Sequence, residues 1–346
     1  MTVAREGQAA VRLADGRVLM VGGAVPSTGT CGMTCPYDLT ASVEVFDPGT
    51  GEFSANGSLA APRTGGQALL LNDGRVLVSG GNSENGGYLE TLEIYDPAQG
   101  TSVAVEGMPV RGAVVLLADG RMLVAGGAYG MYSPSTNRTR IFDPASGKFS
   151  EGPLMAMPRF GASATLLDDG RVLIVGGEQS DGFRSSANNS SELIDPSHQL
   201  SQSTWFPSDD SATASLLSDG RVLVTGWGGS DLGTSCNAPV VSEVIDPRTE
   251  GYAPVGPMST PRTGSAVIKT KDGRVLVFGG VDSMCAAVDT VEAFDPDSET
   301  FQVIATGLPK ISDFSLTLLD DGEILIAGGG DGNWNGMTAA TWLLKP

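Results

Sequence analysis

Apolar residues along this chain come in short runs, and the polar residues between them recur in a fixed order. Runs such as AAVRLA, ALLLN, SATLLD and LTLLD lead into an Asp-Gly pair, and RVLMVGG, RVLVSGG, RVLIVGG and EILIAGG lead out of it. The pair falls at Asp15, Asp73, Asp119, Asp169, Asp219, Asp272 and Asp321, with spacings of 58, 46, 50, 50, 53 and 49. Asp-Gly between two apolar runs predicts a two-residue β-hairpin turn, since both central residues need positive φ and glycine accepts it freely. The runs are nearly continuous rather than alternating, which predicts strands buried on both faces.

A second landmark follows in each copy but the last, an apolar residue before Asp-Pro, at Asp47, Asp96, Asp143, Asp195, Asp246 and Asp295. Proline cannot donate to a ladder, so it ends a third strand. Segments such as GEFSANG, GKFSEGP and ETFQVIA then supply a fourth. Four strands per repeat, seven times over, predict an all-β fold, a seven-bladed β-propeller occupying residues 1–346 as one domain. Forty-eight Gly and 20 Pro fit short strands and tight turns. No apolar run is long enough to cross a membrane as a helix, and the first residues lack the order of a secretion signal. A net charge of −19 argues against nucleic acid and anionic membrane surfaces as partners.

The di-glycine after the second strand and the Asp-Pro end of the third resemble the kelch repeats, in a bacterial form, and the resemblance covers essentially the whole chain. The Asp-Gly-Arg-Val hairpin is most similar to the kelch domain of galactose and glyoxal oxidases. Those enzymes hold copper with two histidines and two tyrosines. This chain has one histidine, His198, so the resemblance carries no copper site with it, and no cofactor or metal is expected.

The ends depart from the repeat. Met1 stands 14 residues before Asp15, as Met258 does before Asp272, and Lys345-Pro346 fall where other copies have Asp-Pro. The last blade is thus expected to lack its outer strand in this chain, and the natural protein to extend upstream. A three-stranded last blade is the alternative.

Candidate chemistry lies in the loops that join second to third strands and lead from one blade into the next. Blade one has the longest, with PSTGTCGMTCPYDL as its excess. Ten residues before Asp-Gly stand Arg5, Arg63, Arg159 and Arg262; blade three offers Arg111, displaced by two, blade five has Asp209 beside Asp210, and blade seven Lys310 one residue away. A cationic ring would capture a carboxylate; the alternative is that each arginine satisfies backbone carbonyls or an acid of a neighbouring blade. Trp227 and Trp334 either stack on a ligand or cap the core. Cys31, Cys35, Cys236 and Cys285 could form two disulfides, Cys31–Cys35 and Cys236–Cys285, or stay free; a four-cysteine zinc site is disfavoured by their spacing. Asn137-Arg-Thr139 and Asn189-Ser-Ser191 fit the glycosylation pattern, which chance explains.

Three functions remain. The first is a non-catalytic module, secreted, periplasmic or surface-exposed, that binds a protein or polysaccharide through the loop face. The second is a scaffold subunit in a larger extracellular assembly. The third is an isomerase or lyase using an arginine with acids such as Asp209, Asp210, Asp181 or Asp231. Oligomeric state is not legible.

Overall fold

The computed structural model describes residues 1–27, 37–107, 111–130, 133–188, 190–204, 212–227, 240–262, 264–284, 286–330 and 336–346. Outside them lie Cys31, Cys35, Cys236, Cys285, Asp209, Asp210, Asp231, Asn189 and Trp334, and the side chain of Trp227. Among the described residues there is no helix, hence none long and apolar enough to cross a membrane.

The chain divides into two compact units, Met1–Met108 with Lys310–Pro346, and Pro109–Pro309. The first holds blade one (Ala9–Arg12, Val18–Val21, Ser42–Asp47, Glu52–Ser58), blade two (Gln67–Leu70, Val76–Ser79, Thr91–Asp96, Thr101–Glu106) and blade seven (Ser315–Leu318, Ile324–Ala327, Thr341–Leu344). The second holds blade three (Ala113–Leu116, Met122–Ala125, Thr139–Asp143, Lys148–Glu151), blade four (Ser163–Leu166, Val172–Val175, Ser191–Asp195, Leu200–Thr204), blade five (Thr213–Leu216, Val222–Trp227, Val240–Asp246, Gly251–Pro254) and blade six (Ala266–Lys269, Val275–Phe278, Val291–Asp295, Thr300–Ala305). Each blade is an antiparallel sheet in chain order, four-stranded in six blades and three-stranded in blade seven.

Strand alternation places the core between blades, not within them. In the first unit, Leu19 and Val21 pack toward Val76 and Val78 of blade two, while Val18 and Met20 pack toward Leu325 and Ala327 of blade seven. In the second, Ile174 faces Leu123 and Ile141 of blade three, and Leu173 and Val175 face Val222 and Val224 of blade five. Second strands are therefore buried on both faces, as their apolar runs predict. First strands are only half-buried, with patterns such as Biii and iiii.

The hairpin differs from the two-residue turn expected. Leu13 N–H bonds Arg17 O and Gly16 N–H bonds Leu13 O, and the other six hairpins repeat the first of these bonds. Only the glycine has positive φ, +88° at Gly16. The loop is thus Ala14-Asp15-Gly16, a turn closed by a bulge with glycine in the left-handed region. Asp15 keeps ordinary φ because its carboxylate is engaged, accepting from Arg17 N and from Arg17 Nε at 2.8 Å.

The di-glycine has the role the repeat implies. Gly126 has φ +70°, and a Cβ there would lie 2.1 Å from the carbonyl oxygen of Arg159 in the next blade. Gly127 N–H donates to that same carbonyl at 2.7 Å. Side chains at this point would hold the two blades apart. Two further hairpins not read from the sequence stand beyond the blades: Ala24–Pro26 with Tyr37–Leu39, and Glu178–Ser180 with Ser185–Ala187.

Candidate functional site

The arginine that leads into the innermost strand is buried wherever the repeat has it. Arg5, Arg63, Arg159 and Arg262 are 0%, 2%, 0% and 1% exposed. Each guanidinium is bound inside its own blade. Arg159 donates to Glu192 at 2.9 Å, to Gly176 O at 2.8 Å and to Ser190 O at 2.8 Å. Arg63 donates to Glu93 at 2.5 Å and to Gly80 O at 2.8 Å. Arg5 pairs with Glu44, and Arg262 with Glu292. Burial pulls Arg5, Arg159 and Arg262 below the ordinary arginine value, and the charge of the paired glutamate opposes it.

The glutamates also hold the incoming chain. Glu192 accepts from Ala156 N at 2.7 Å and Met157 N at 3.0 Å, and Glu93 from Ala60 N at 2.7 Å. The Arg-Glu unit therefore ties second strand, third strand and incoming loop together. A solvent-facing cationic ring made of Arg5, Arg63, Arg159 and Arg262 is thereby corrected: their donors are consumed by acceptors of the same blade. The partners were missed in the sequence, yet their signal is there, a glutamate three residues before the Asp of Asp-Pro in blades one, two, four, five and six.

Arg111 is different. It is exposed, in the left-handed region at φ 56°, where blades one, two, four and six place Gly7, Gly65, Gly161 and Gly264. Its guanidinium lies 4.1 Å over the Phe160 ring and 3.6 Å from Glu178, and its carbonyl accepts from Gly161 N at 2.8 Å. A non-glycine residue held at positive φ is a cost that the inward bond and the ring stacking offset. Asp313 occupies the matching place in blade seven, also at positive φ.

The loops of the second unit also carry large apolar side chains in solvent. Phe183, at the tip between Glu178–Ser180 and Ser185–Ala187, is 90% exposed, and Met284 of blade six 82%. Tyr129 in blade three, and Leu154 and Met157 on the connection into blade four, are also exposed. In the first unit, Val3, Tyr37 and Tyr88 are exposed in the corresponding loops.

The remaining candidates divide between described and undescribed residues. Asp209, Asp210, Trp334 and all four cysteines lie outside the described residues; Trp227 ends the second strand of blade five, paired in register with Val240. Asp181 accepts from Phe183 N and Arg184 N at 2.8 Å and so shapes the hairpin tip. His198 is exposed in the Asp-Pro turn of blade four, its Nδ1 2.7 Å from Asp195. Asn137 spends its amide on Met155 O at 2.9 Å. Among the described residues no cluster of His, Cys, Asp and Glu is arranged to hold a metal.

Comparison with known proteins agrees with this architecture. The family described as Kelch motif matches residues 264–307, which hold blade six. Beta-scruin of Limulus polyphemus is 28% identical over 136 residues, 37% of this chain, and the match spans 15% of that protein. Among solved structures, a fungal alcohol oxidase of the AA5 family in complex with copper superposes with a TM-score of 0.74 at 16% identity, over 99% of this chain and 74% of that one. At that identity the likeness speaks for fold alone. Repeated hairpins, di-glycines, Asp-Pro turns and these matches lead to one conclusion: the chain carries a kelch motif at residues 264–307 and has the fold of a seven-bladed β-propeller.

Proposed function

We propose that the protein is a non-catalytic docking module whose second unit binds a partner protein through the loop end of its blades. Kelch repeats generally mediate protein binding, and the observation that carries the reading here is the set of exposed apolar side chains on the loops of the second unit, Tyr129, Leu154, Met157, Phe183 and Met284. Apolar side chains this exposed are what a protein interface buries. The single solvent-reaching arginine of the repeat, seated on Phe160, adds an oriented cation of the kind enriched at interface centres. The buried arginines Arg5, Arg63, Arg159 and Arg262 are committed to structure, so they do not supply the cation that an arginine-and-acid catalytic site would need.

The test is affinity capture from extracts of the source organism, quantified by mass spectrometry, with wild type against Tyr129→Ser/Phe183→Ser/Met284→Ser. Partners of the wild type are expected to fall by at least about tenfold, since one lost anchor is worth about 2 kcal/mol, at unchanged thermal stability. Undiminished capture overturns the proposal; a glycan array on which wild type binds and the variant does not would assign the same face to polysaccharide. The extracytoplasmic placement rests on the even cysteine count, and four reactive thiols in the denatured, unreduced chain would end it.

A further inference from the structure

Arginine and glutamate of the buried pair come and go together along the chain. Blades one, two, four and six have both, and blades three and seven have neither, with Pro109 and Arg140 in one and Ile311 and Trp342 in the other at those positions. Blade five breaks the rule: it keeps Glu243, while Asp209 stands where the arginine belongs.

The third strand of blade five still delivers Glu243 to the usual place. Val224 pairs with Glu243 in the same register in which Met20 pairs with Glu44, Val78 with Glu93, Ile174 with Glu192 and Val277 with Glu292. Glu243 is 9% exposed, against 0–2% for the four paired glutamates, so it is buried but reachable. All 21 lysines and arginines of the chain lie among the described residues, and none forms an ion pair with it. Among the described residues its carboxylate receives no hydrogen bond, and burial raises its pKa. A buried carboxylate without partner is costly.

We propose that Glu243 is the carboxylate of an open socket in blade five that takes a guanidinium group from outside this chain. Four other blades show what this position holds: one guanidinium nitrogen on the glutamate, another on main-chain carbonyls such as Gly176 O and Ser190 O. Guanidinium is planar and weakly hydrated, so it enters a half-dry site more readily than an ammonium. Blade five departs in two respects. Val241 replaces the Ser or Thr found at that position in the four paired blades, and the second strand runs on through Gly226 and Trp227, paired with Val241 and Val240. The occupant therefore meets the carboxylate and main chain without a hydroxyl. The chain's −19 charge draws cations toward it. This inference stands apart from the docking face and does not need it.

Agmatine and the blocked tripeptides Gly-Arg-Gly and Gly-Lys-Gly are titrated into the full chain, with the glutamate side chains labelled with carbon-13 and their carboxylate shifts followed by NMR. Saturable shifts with agmatine or Gly-Arg-Gly are expected, with Kd on the order of millimolar for so small a ligand. They should weaken by at least about tenfold in Glu243→Gln and in Asp209→Arg, which restores the repeat's own arginine. Tighter binding of the tripeptide marks a peptide arginine as the source, and equal binding a free guanidine. No saturation in wild type, equal binding of Gly-Lys-Gly, or undiminished binding by both folded variants would overturn the assignment. Thermal unfolding of each variant shows that it is folded before its titration is read.

Discussion

Arg159 and Glu192 meet with both side chains out of solvent, and that geometry decides what either can be replaced by. Removing one partner strands the other as a buried charge, a loss of about 3–5 kcal/mol, whereas removing both also removes the desolvation cost. Urea denaturation should therefore find Arg159→Met destabilised by about that amount and Arg159→Met/Glu192→Gln more stable than Arg159→Met alone. A double variant whose loss equals the sum of the two singles would show that the two side chains act separately. The arginines themselves were legible in the sequence as a regular series. Their burial was not, because arginine is ordinarily a surface residue and the partner glutamate lies some 30 to 40 residues away, from Arg63 to Glu93 and Arg5 to Glu44, on a strand whose landmark is the Asp-Pro beside it.

Turns carry the periodicity, and their detailed form is set by hydrogen bonds that sequence alone does not fix. Asp-Gly suits both a two-residue turn and a three-residue turn with a bulge; Leu13 N–H bonding Arg17 O selects the second. The Asp-Pro turns share a device of their own. Asp96 Oδ1 accepts from Ala98 N at 2.9 Å, and Gly100 closes the turn at φ +69°. In blades four, five and six that closing residue is Gln199, Glu250 or Glu299, all at positive φ. Glu299 is used, paired with Arg221, and Glu250 accepts from Gln202 at 2.6 Å. Gln199 Nε2 reaches only the local Pro196 carbonyl, at 3.2 Å. Gln199→Gly should then stabilise by up to about 1 kcal/mol, the left-handed strain relieved less the added freedom of the unfolded chain. Loss of stability in thermal unfolding would show that the Gln199 side chain outweighs its backbone strain.

Across the molecule, blade number, strand order and the doubly buried second strands were legible because one repeat states them seven times. The added hairpins and exposed tips such as Phe183 were not, since they lie in loops that no repeat specifies. Charge is the other property of the whole chain, 40 acidic against 21 basic residues with an isoelectric point near 4.3. Two effects of pH then oppose each other. Hydrogen bonds from Arg17, Arg75, Arg121 and Arg171 hold Asp15, Asp73, Asp119 and Asp169 below their ordinary 3.8. Folding lowers these values, so their contribution is complete above about pH 4 and is lost as pH falls through the folded values. Glu243 runs the other way: raised above 4.5 by burial, it favours folding below that value and disfavours it above. Self-repulsion among excess carboxylates also weakens the fold at neutral pH and relaxes toward the isoelectric point. Thermal unfolding should therefore show a maximum on the acid side of neutrality and a steep fall below pH 4. Added salt should raise the neutral-pH transition by screening and leave the one near the isoelectric point almost unmoved. A transition that salt shifts equally at both pH values would mean that net repulsion is not what limits stability at pH 7.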